Sequence, residues 1–418
     1  MTADGQKAAQ HSARHSGGDK LPAEELPLRD IKVVEFVHTV MGPSCGVVLA
    51  DLGAEVIKIE PVGGDVTRRL AGSGAGYWAM FNRNKRSIAL DLKSEEGRAV
   101  ALDLIRGADV MTENFGPGTI DRLGLGWETV REVNPRLIFC ALKGFLGGPY
   151  ENRMALDEVC QIMGGLAYMT GLPGKPMRAG ASVIDVMGGV FGVVGILSAL
   201  HEREKTGRGR HIKSALFEST LFLVGQHMAF KSVTGKAMPP MSVRLSAWCV
   251  YDIFVTQDGQ QCFLGLVTDN NWKRFCGEFG YDDWLADPGL KTNAERVHAR
   301  ERIIPRITAM MKEHTLDQIV VRLERAQLPF APIGRPEDMF DDPHLNQGGG
   351  LLDLALETGE EKSTRLPVLP LEWGGRKLGL RRGLPGTSQH ARDVLKEAGY
   401  DDARIDALFS GGAVQKPD

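Results

Sequence analysis

The segment Ala179–Gly192, AGASVIDVMGGVFG, sets one carboxylate, Asp185, among small and apolar residues. A carboxylate taken out of water without a partner costs more than folding can offset, so Asp185 caps a helix, is paired, or reacts. As a cap it would accept backbone N–H bonds at the start of the apolar helix that follows. As a nucleophile it fits acyl transfer, with the helix N-terminus keeping it ionised and free N–H groups there receiving an oxyanion. The local pattern leaves both roles open, and one residue can fill both. Gly188, Gly189 and Gly192 fall in the first turns. Each costs about 1 kcal/mol relative to alanine, so something must approach that backbone closely. A second carboxylate, Asp157, with Glu158 beside it, lies in RMALDEVCQIMGGLAYMTG on an expected helix that stops at Gly164 and Gly165. Acids at such places more often solvate a surface or cap a helix than react.

Arg68 and Arg69 in GGDVTRR, and Arg83, Lys85 and Arg86 in MFNRNKRSIALDLK, form two basic clusters. Such loops commonly just meet water; beside strand ends they also grip phosphorylated ligands. In TENFGPGTIDRLGLG, Asn114 and Phe115 fall at the C-terminal edge of an expected strand, followed by a Gly-Pro-Gly turn and Arg122. Open α/β sheets bind ligands there, and an amide, a ring and a guanidinium suit a nucleotide. A turn with a capped helix is an equally consistent reading. No GxxxxGK[ST] loop occurs, and Gly72, Gly74 and Gly76 follow no strand, which argues against ATP and dinucleotide sites. HExxH and GxSxG are absent as well, removing the usual metalloprotease and serine-hydrolase signatures.

Alternation of short β-branched runs with helical segments positions these groups. IKVVEF, GPSCGVVLADLGA and EVIKIE read as strand, helix, strand, and the grammar returns through LIFCALKGF, so the first 150 residues predict a parallel α/β sheet. A buried apolar helix is expected from Val186 to about Lys205, and Pro239-Pro240 marks a linker. WCVYDIFVT and CFLGLVT then predict a hairpin, followed by amphipathic helices in a smaller α+β domain. The expected boundaries are a disordered leader over 1–27, a large domain over 28–230, linker and small domain over 231–342, and a returning tail over 343–418. A chain of 418 residues with net charge −3 gives no electrostatic case for nucleic acid or a membrane surface. Its six cysteines lack metal or disulfide spacing, so no metal is expected. The polar leader shows no signal-peptide pattern, which points to a cytoplasmic protein. GGVFGVVGILSAL falls short of the roughly 20 residues of a membrane helix.

Taken together, VVEFVHTVMGPSCGVVLADLGAEVIKIEPVGGD, NRNKRSIALDLK, TENFGPGTIDRLGLGW, NPRLIFCALKGF and ALDEVCQIMGGLAYMTG resemble the signature run of class III (CaiB/BaiF-type) coenzyme A transferases. HEREKTGRGRHIKSALFES and HARDVLKEAGY continue the likeness from about Leu28 onward. The resemblance implies a Rossmann-like large domain built from both chain ends, a smaller α+β middle domain, and two ring-shaped subunits interlocked as a homodimer. It implies that Asp185 attacks the thioester of an acyl-CoA to give a mixed anhydride. CoA thiolate then returns to form an aspartyl-CoA thioester, and the acceptor carboxylate takes the CoA through a second anhydride. Asp157 matches a supporting acid. His38, Asn114, Phe115 and Arg122, with Leu92 and Arg86, carry over as coenzyme A contacts, and Gly188 and Gly189 as positions close to substrate.

Coenzyme A and acyl-CoA are then substrates and no cofactor is tightly bound. The partners are an acyl-CoA and a small carboxylic acid. Racemases of the superfamily carry a histidine before the acid matching Asp157; Leu156 stands there, so a 2-methylacyl-CoA racemase ranks second and a silent CoA-binding protein third. The middle domain lacks the glycine-rich loop of formyl-CoA transferases. The run Glu151–Gly189 looks closest to members acting on four- and five-carbon dicarboxylates of the mesaconyl-, succinyl- or itaconyl-CoA type, including intramolecular transferases. Arg153 and Arg178 are the expected holders of the second carboxylate.

Overall fold

The computed structural model describes residues 20–243, 246–356 and 359–417. Two compact units divide the chain: one runs to Ser242 and resumes at Pro343, and the other is Val243–Asp342. Among the described residues of the first unit, six parallel strands form one sheet: β1 (Lys32–Phe36), β2 (Glu55–Glu60), β3 (Lys85–Ala89), β4 (Val110–Glu113), β5 (Ile138–Lys143) and β6 (Arg210–Ala215). Their order is β3-β2-β1-β4-β5-β6. This is the doubly wound Rossmann order, whose direction of winding reverses between β1 and β4. Buried apolar side chains cover both faces of the sheet, which is why its strands read as nearly continuous apolar runs.

The sheet extends past the first 150 residues: β6 follows the hydrophilic EREKTGRGR, where the pattern gave no strand signal. The tail packs on the same unit, with Ala391, Leu395, Ile405 and Val414 in the core cluster that also holds Val34 and Ile88. Of the expected leader, residues 1–19 lie outside the described residues. Lys20–Pro27 is ordered, with Leu21 and Leu26 buried and Lys20 bridged to Lys377. The expected start of the linker at residue 231 is also corrected, because helix Leu216–Thr234 continues to a left-handed Gly235.

Four helices set the site: α1 (Met41–Asp51), α2 (Asp157–Met163), α3 (Val183–Thr206) and α4 (Leu216–Thr234). The glycines of α3 face α1, β5 and β6, with Gly195 against Ile212. A Cβ on Gly188 would lie 2.5 Å from Met41 Cε, one on Gly192 2.7 Å from Leu142 Cδ2, and one on Gly189 would strike Ser44 Oγ. The close approach expected at this backbone is therefore made by α1 and not by a ligand. At 24 residues α3 is long and apolar enough to cross a membrane, which corrects the shorter run expected, yet its glycine face is packed inside the protein. Its opposite face leaves Val186, Val190, Val194 and Leu197 exposed.

The second unit pairs β7 (Tyr251–Val255), β8 (Gln261–Gly265) and β9 (Phe330–Pro332) antiparallel, beneath helices Asp269–Phe279 and Arg300–Lys312. Trp272, Phe275, Ile303 and Ile307 form its own core.

Gly189→Ala is expected to destabilise the fold by about 1–3 kcal/mol, because overpacking against Ser44 and the Met41 carbonyl forces α3 away from α1. Gly277→Ala, in open space on the exposed face of helix Asp269–Phe279, is expected to stabilise by about 0.5–1 kcal/mol. Thermal melts of the two variants check the contrast.

Candidate active site

β1 and β4 end side by side where the winding reverses, and the loops after them are locked to each other. The Asn114 amide accepts the His38 N–H at 3.0 Å and donates to the His38 carbonyl at 2.9 Å. The His38 ring stacks on Phe115, centroids 6.1 Å apart, and partial burial pulls its imidazole below the usual histidine range. Thr39 holds a left-handed backbone, φ 65°, with its N–H donated to Thr67 Oγ1 at 3.0 Å. A non-glycine residue in that region is costly, so the Thr67 contact offsets part of the strain. A cleft of about 250 Å³ opens there, and His38, Asn114, Phe115, Arg153, Asp157 and Asp185 all line it.

Asp185 is the third residue of α3, whose N-cap position is Ser182. The cap itself comes from another helix. Asp157 Oδ2 accepts the N–H groups of Ile184 at 3.0 Å and of Asp185 at 3.1 Å. Val183 N and Val186 N donate to the Ala181 and Ser182 carbonyls. The expectation that free N–H groups at this terminus receive an oxyanion is thereby corrected, since all four are occupied, and so is that of Asp185 as its own helix's cap. The helix terminus is not the dominant influence on the Asp185 charge. Burial first, then the charges of Asp157 and Glu158, push its carboxyl up to about 7, with Arg178 pulling the other way. Two carboxylates that share a site, one fixed by hydrogen bonds and one raised, are a recurring arrangement of acid and base chemistry.

Other expected site residues lie elsewhere. Arg178 contacts Glu158 and lies 3.7 Å from Asp157, so its charge is spent on the carboxylate pair. Arg122 is exposed at the end of the short helix after the cleft, bonded to Thr119 Oγ1 at 2.8 Å. Leu92 packs on the core cluster beneath the tail helices. Arg86 is buried between Glu55 and Glu397, at 2.8 and 2.7 Å, beside the N-terminal ends of the strands. The rest of the basic cluster is likewise structural: Arg83 pairs with Asp51 at 2.6 Å and Lys85 with Glu35 at 2.8 Å, all buried. Arg68 pairs with Glu60 at 2.6 Å and lies over the Trp78 ring. Gly188 and Gly189 face α1 as described, away from the cleft.

Two contributors went unread. Lys143 lines the cleft and binds Glu113 Oε1 at 2.6 Å; a lysine closing LIFCALK at a strand's C-terminal edge was the available signal. Gln161 binds Asp157 from one turn further along α2, and its spacing of four residues carried that information.

A Rossmann-order sheet whose switch-point cleft is lined by two aspartates fits an α/β enzyme of carboxylate chemistry. Residues 28–391 match CoA-transferase family III, and the chain belongs to that family. It is a CoA-transferase, an enzyme whose class works on CoA thioesters and carboxylates. An acyl-CoA transferase of Fusarium pseudograminearum (strain CS3096) is 34% identical over 409 residues, spanning 93% of this chain and 88% of the relative. A formyl-CoA:oxalate CoA-transferase of Escherichia coli O157:H7 is 32% identical over 431 residues, spanning 93% and 99%. The crystal structure of a CaiB/BaiF family protein from Brucella suis superposes with a TM-score of 0.77 at 31% identity, covering 89% of this chain and 99% of that one.

With Asp185 at about 7 in the fold and about 4 when unfolded, the native chain holds the extra proton between those pH values, so this group lowers stability as pH rises through them. Asp185→Asn is therefore expected to match wild type near pH 4 and to exceed it by about 1–3 kcal/mol at pH 8, less than the full shift because the side chain is only partly buried. Denaturation at both pH values reads this difference.

Proposed function

We propose that Asp185 is the covalent nucleophile, and that the enzyme moves coenzyme A between carboxylates, at least one of them a small dicarboxylate of four or five carbons. The observation that carries the reading is the Asp185 carboxyl at the cleft wall, poised near neutrality while Asp157 stays tied to the main chain. An ionised Asp185 oxygen attacks the thioester carbonyl, and CoA thiolate leaves. The thiolate then attacks the aspartyl carbonyl of the mixed anhydride and expels the donor carboxylate. An acceptor carboxylate displaces the thiolate again, and its return to the acceptor's acyl carbon regenerates Asp185. His38, Asn114 and Phe115 supply the cleft wall for the CoA thioester. Leu156 brings no titratable group to the cleft where a racemase needs a second base, which favours transfer over proton exchange.

Arg153 supports the dicarboxylate reading. It lines the cleft, carries no ion pair among the described residues, and rests 5.0 Å over the Tyr150 ring. Formyl-CoA with oxalate is the second reading, favoured by the Escherichia coli relative. A second copy of the chain, in a cytoplasmic homodimer, is the proposed cover for the exposed valines of α3 and for Phe222 of α4, which is 71% exposed. Exposed patches of this kind mark association surfaces.

Incubation with succinyl-CoA, mesaconyl-CoA or formyl-CoA, a hydroxylamine quench and peptide mass spectrometry test the nucleophile. A modification confined to the Asp185 peptide and missing in Asp185→Ala is expected, and its yield ranks the donors; no modification with any of them contradicts covalent transfer. Its rate is expected to rise with pH through about 7, as the attacking carboxylate ionises. Arg153→Ala is expected to raise the KM of a dicarboxylate acceptor about tenfold while leaving a monocarboxylate unchanged. Equal effects on both acceptors would remove Arg153 from that role.

A further inference from the structure

Gln161 is fully buried on the second turn of α2, one turn after Asp157 and on the same face. Its amide oxygen accepts the Ala179 N–H at 2.8 Å, and its amide nitrogen donates to Asp157 Oδ1. The orientation of this amide is fixed by chemistry: a backbone N–H only donates and a carboxylate only accepts, so a flip would lose both bonds. Asp157 is thus held at both oxygens, Oδ1 by Gln161 and Oδ2 by the N–H groups of Ile184 and Asp185. The same amide ties α2 to the strand of chain that leads into α3.

We infer that Gln161 is a positioning residue for the nucleophile: by clamping Asp157 and the Ala179 backbone together, it sets where the first turn of α3 presents Asp185 to the cleft. The inference rests on Asp185 being the nucleophile. Without the clamp, the Asp157 carboxylate can rotate about its side-chain bonds, and the turn that carries Asp185 loses its fixed cap. Small misplacements of an attacking group cost large factors in rate. The charged or titratable groups around Asp185 are Asp157, Glu158 and Cys160 from α2, Arg178 from the preceding loop, and His38, Lys143, Glu151 and Arg153 along the cleft, with Glu218 of α4 near Cys160. Gln161 is neutral, and it acts on this set through Asp157 and the Ala179 backbone.

Two variants separate positioning from mere packing. Gln161→Met fills similar volume with neither donor nor acceptor. Gln161→Glu keeps an acceptor for Ala179 N–H but turns a carboxylate toward Asp157. In single-turnover trapping with the acyl-CoA that labels wild type best, Gln161→Met is expected to slow acylation about tenfold or more, with the half-saturating acyl-CoA concentration within about twofold of wild type. Gln161→Glu is expected to move the acid limb of the rate upward by about half a pH unit or more, because a third carboxylate opposes ionisation of Asp185. Wild-type rates and an unshifted limb in both variants overturn the inference. If Gln161→Met does not fold, the limb of Gln161→Glu decides alone. A wild-type enzyme that takes no label contradicts the nucleophile itself, an outcome distinct from variants that acylate as wild type does.

Discussion

The carboxylate of Asp157 lies against the first turn of α3, accepting two main-chain N–H groups that a helix start leaves without partners. That one contact joins what the chain keeps far apart in sequence. It stops an apolar helix of 24 residues at a defined place, and it sets a fixed negative charge beside Asp185. Two N–H donors hold the Asp157 carboxylate in place, while burial and that neighbouring charge disfavour ionisation of Asp185. Two aspartates of the same chemistry thus divide into a helix cap and a carboxyl raised to about 7.

The remaining architecture holds this contact still. The glycine seam of α3 lets α1 approach to within side-chain contact and sets α3 against Leu142 of β5. Buried ion pairs do the same beneath the sheet: Lys85–Glu35, Lys58–Asp65 and Arg83–Asp51 neutralise charges that apolar surroundings would otherwise reject. At the carboxyl ends of β1 and β4, the reciprocal Asn114–His38 bonds and the strained Thr39 shape the cleft wall facing Asp185.

Periodicity made the parallel sheet legible, because strands covered on both faces leave continuous β-branched runs such as KVVEF and EVIKIE. It did not reveal β6, whose RHIKSA is polar and only partly buried. Asp185 stood out as a lone acid in an apolar stretch, and Asp157 as a second acid, but their division of labour was hidden. Which of them caps α3 depends on a contact across 28 residues that no local pattern encodes. The basic cluster misled for a related reason. Arg83, Lys85 and Arg86 look like a phosphate grip by composition, and their acidic partners Asp51, Glu35 and Glu55 come from neighbouring strands and α1. Glycine spacing correctly indicated a close approach, while the identity of the approaching group, α1, came only with the fold.

The coupling of the two aspartates is tested most directly by titrating carbon-13-labelled aspartate carboxyls by NMR in wild type, Asp185→Asn and Asp157→Asn. One carboxyl with a midpoint near 7, absent in Asp185→Asn and moved to lower pH in Asp157→Asn, is the expected result. Aspartates that all titrate in the ordinary carboxylate range, or a raised midpoint that ignores the loss of Asp157, would contradict it.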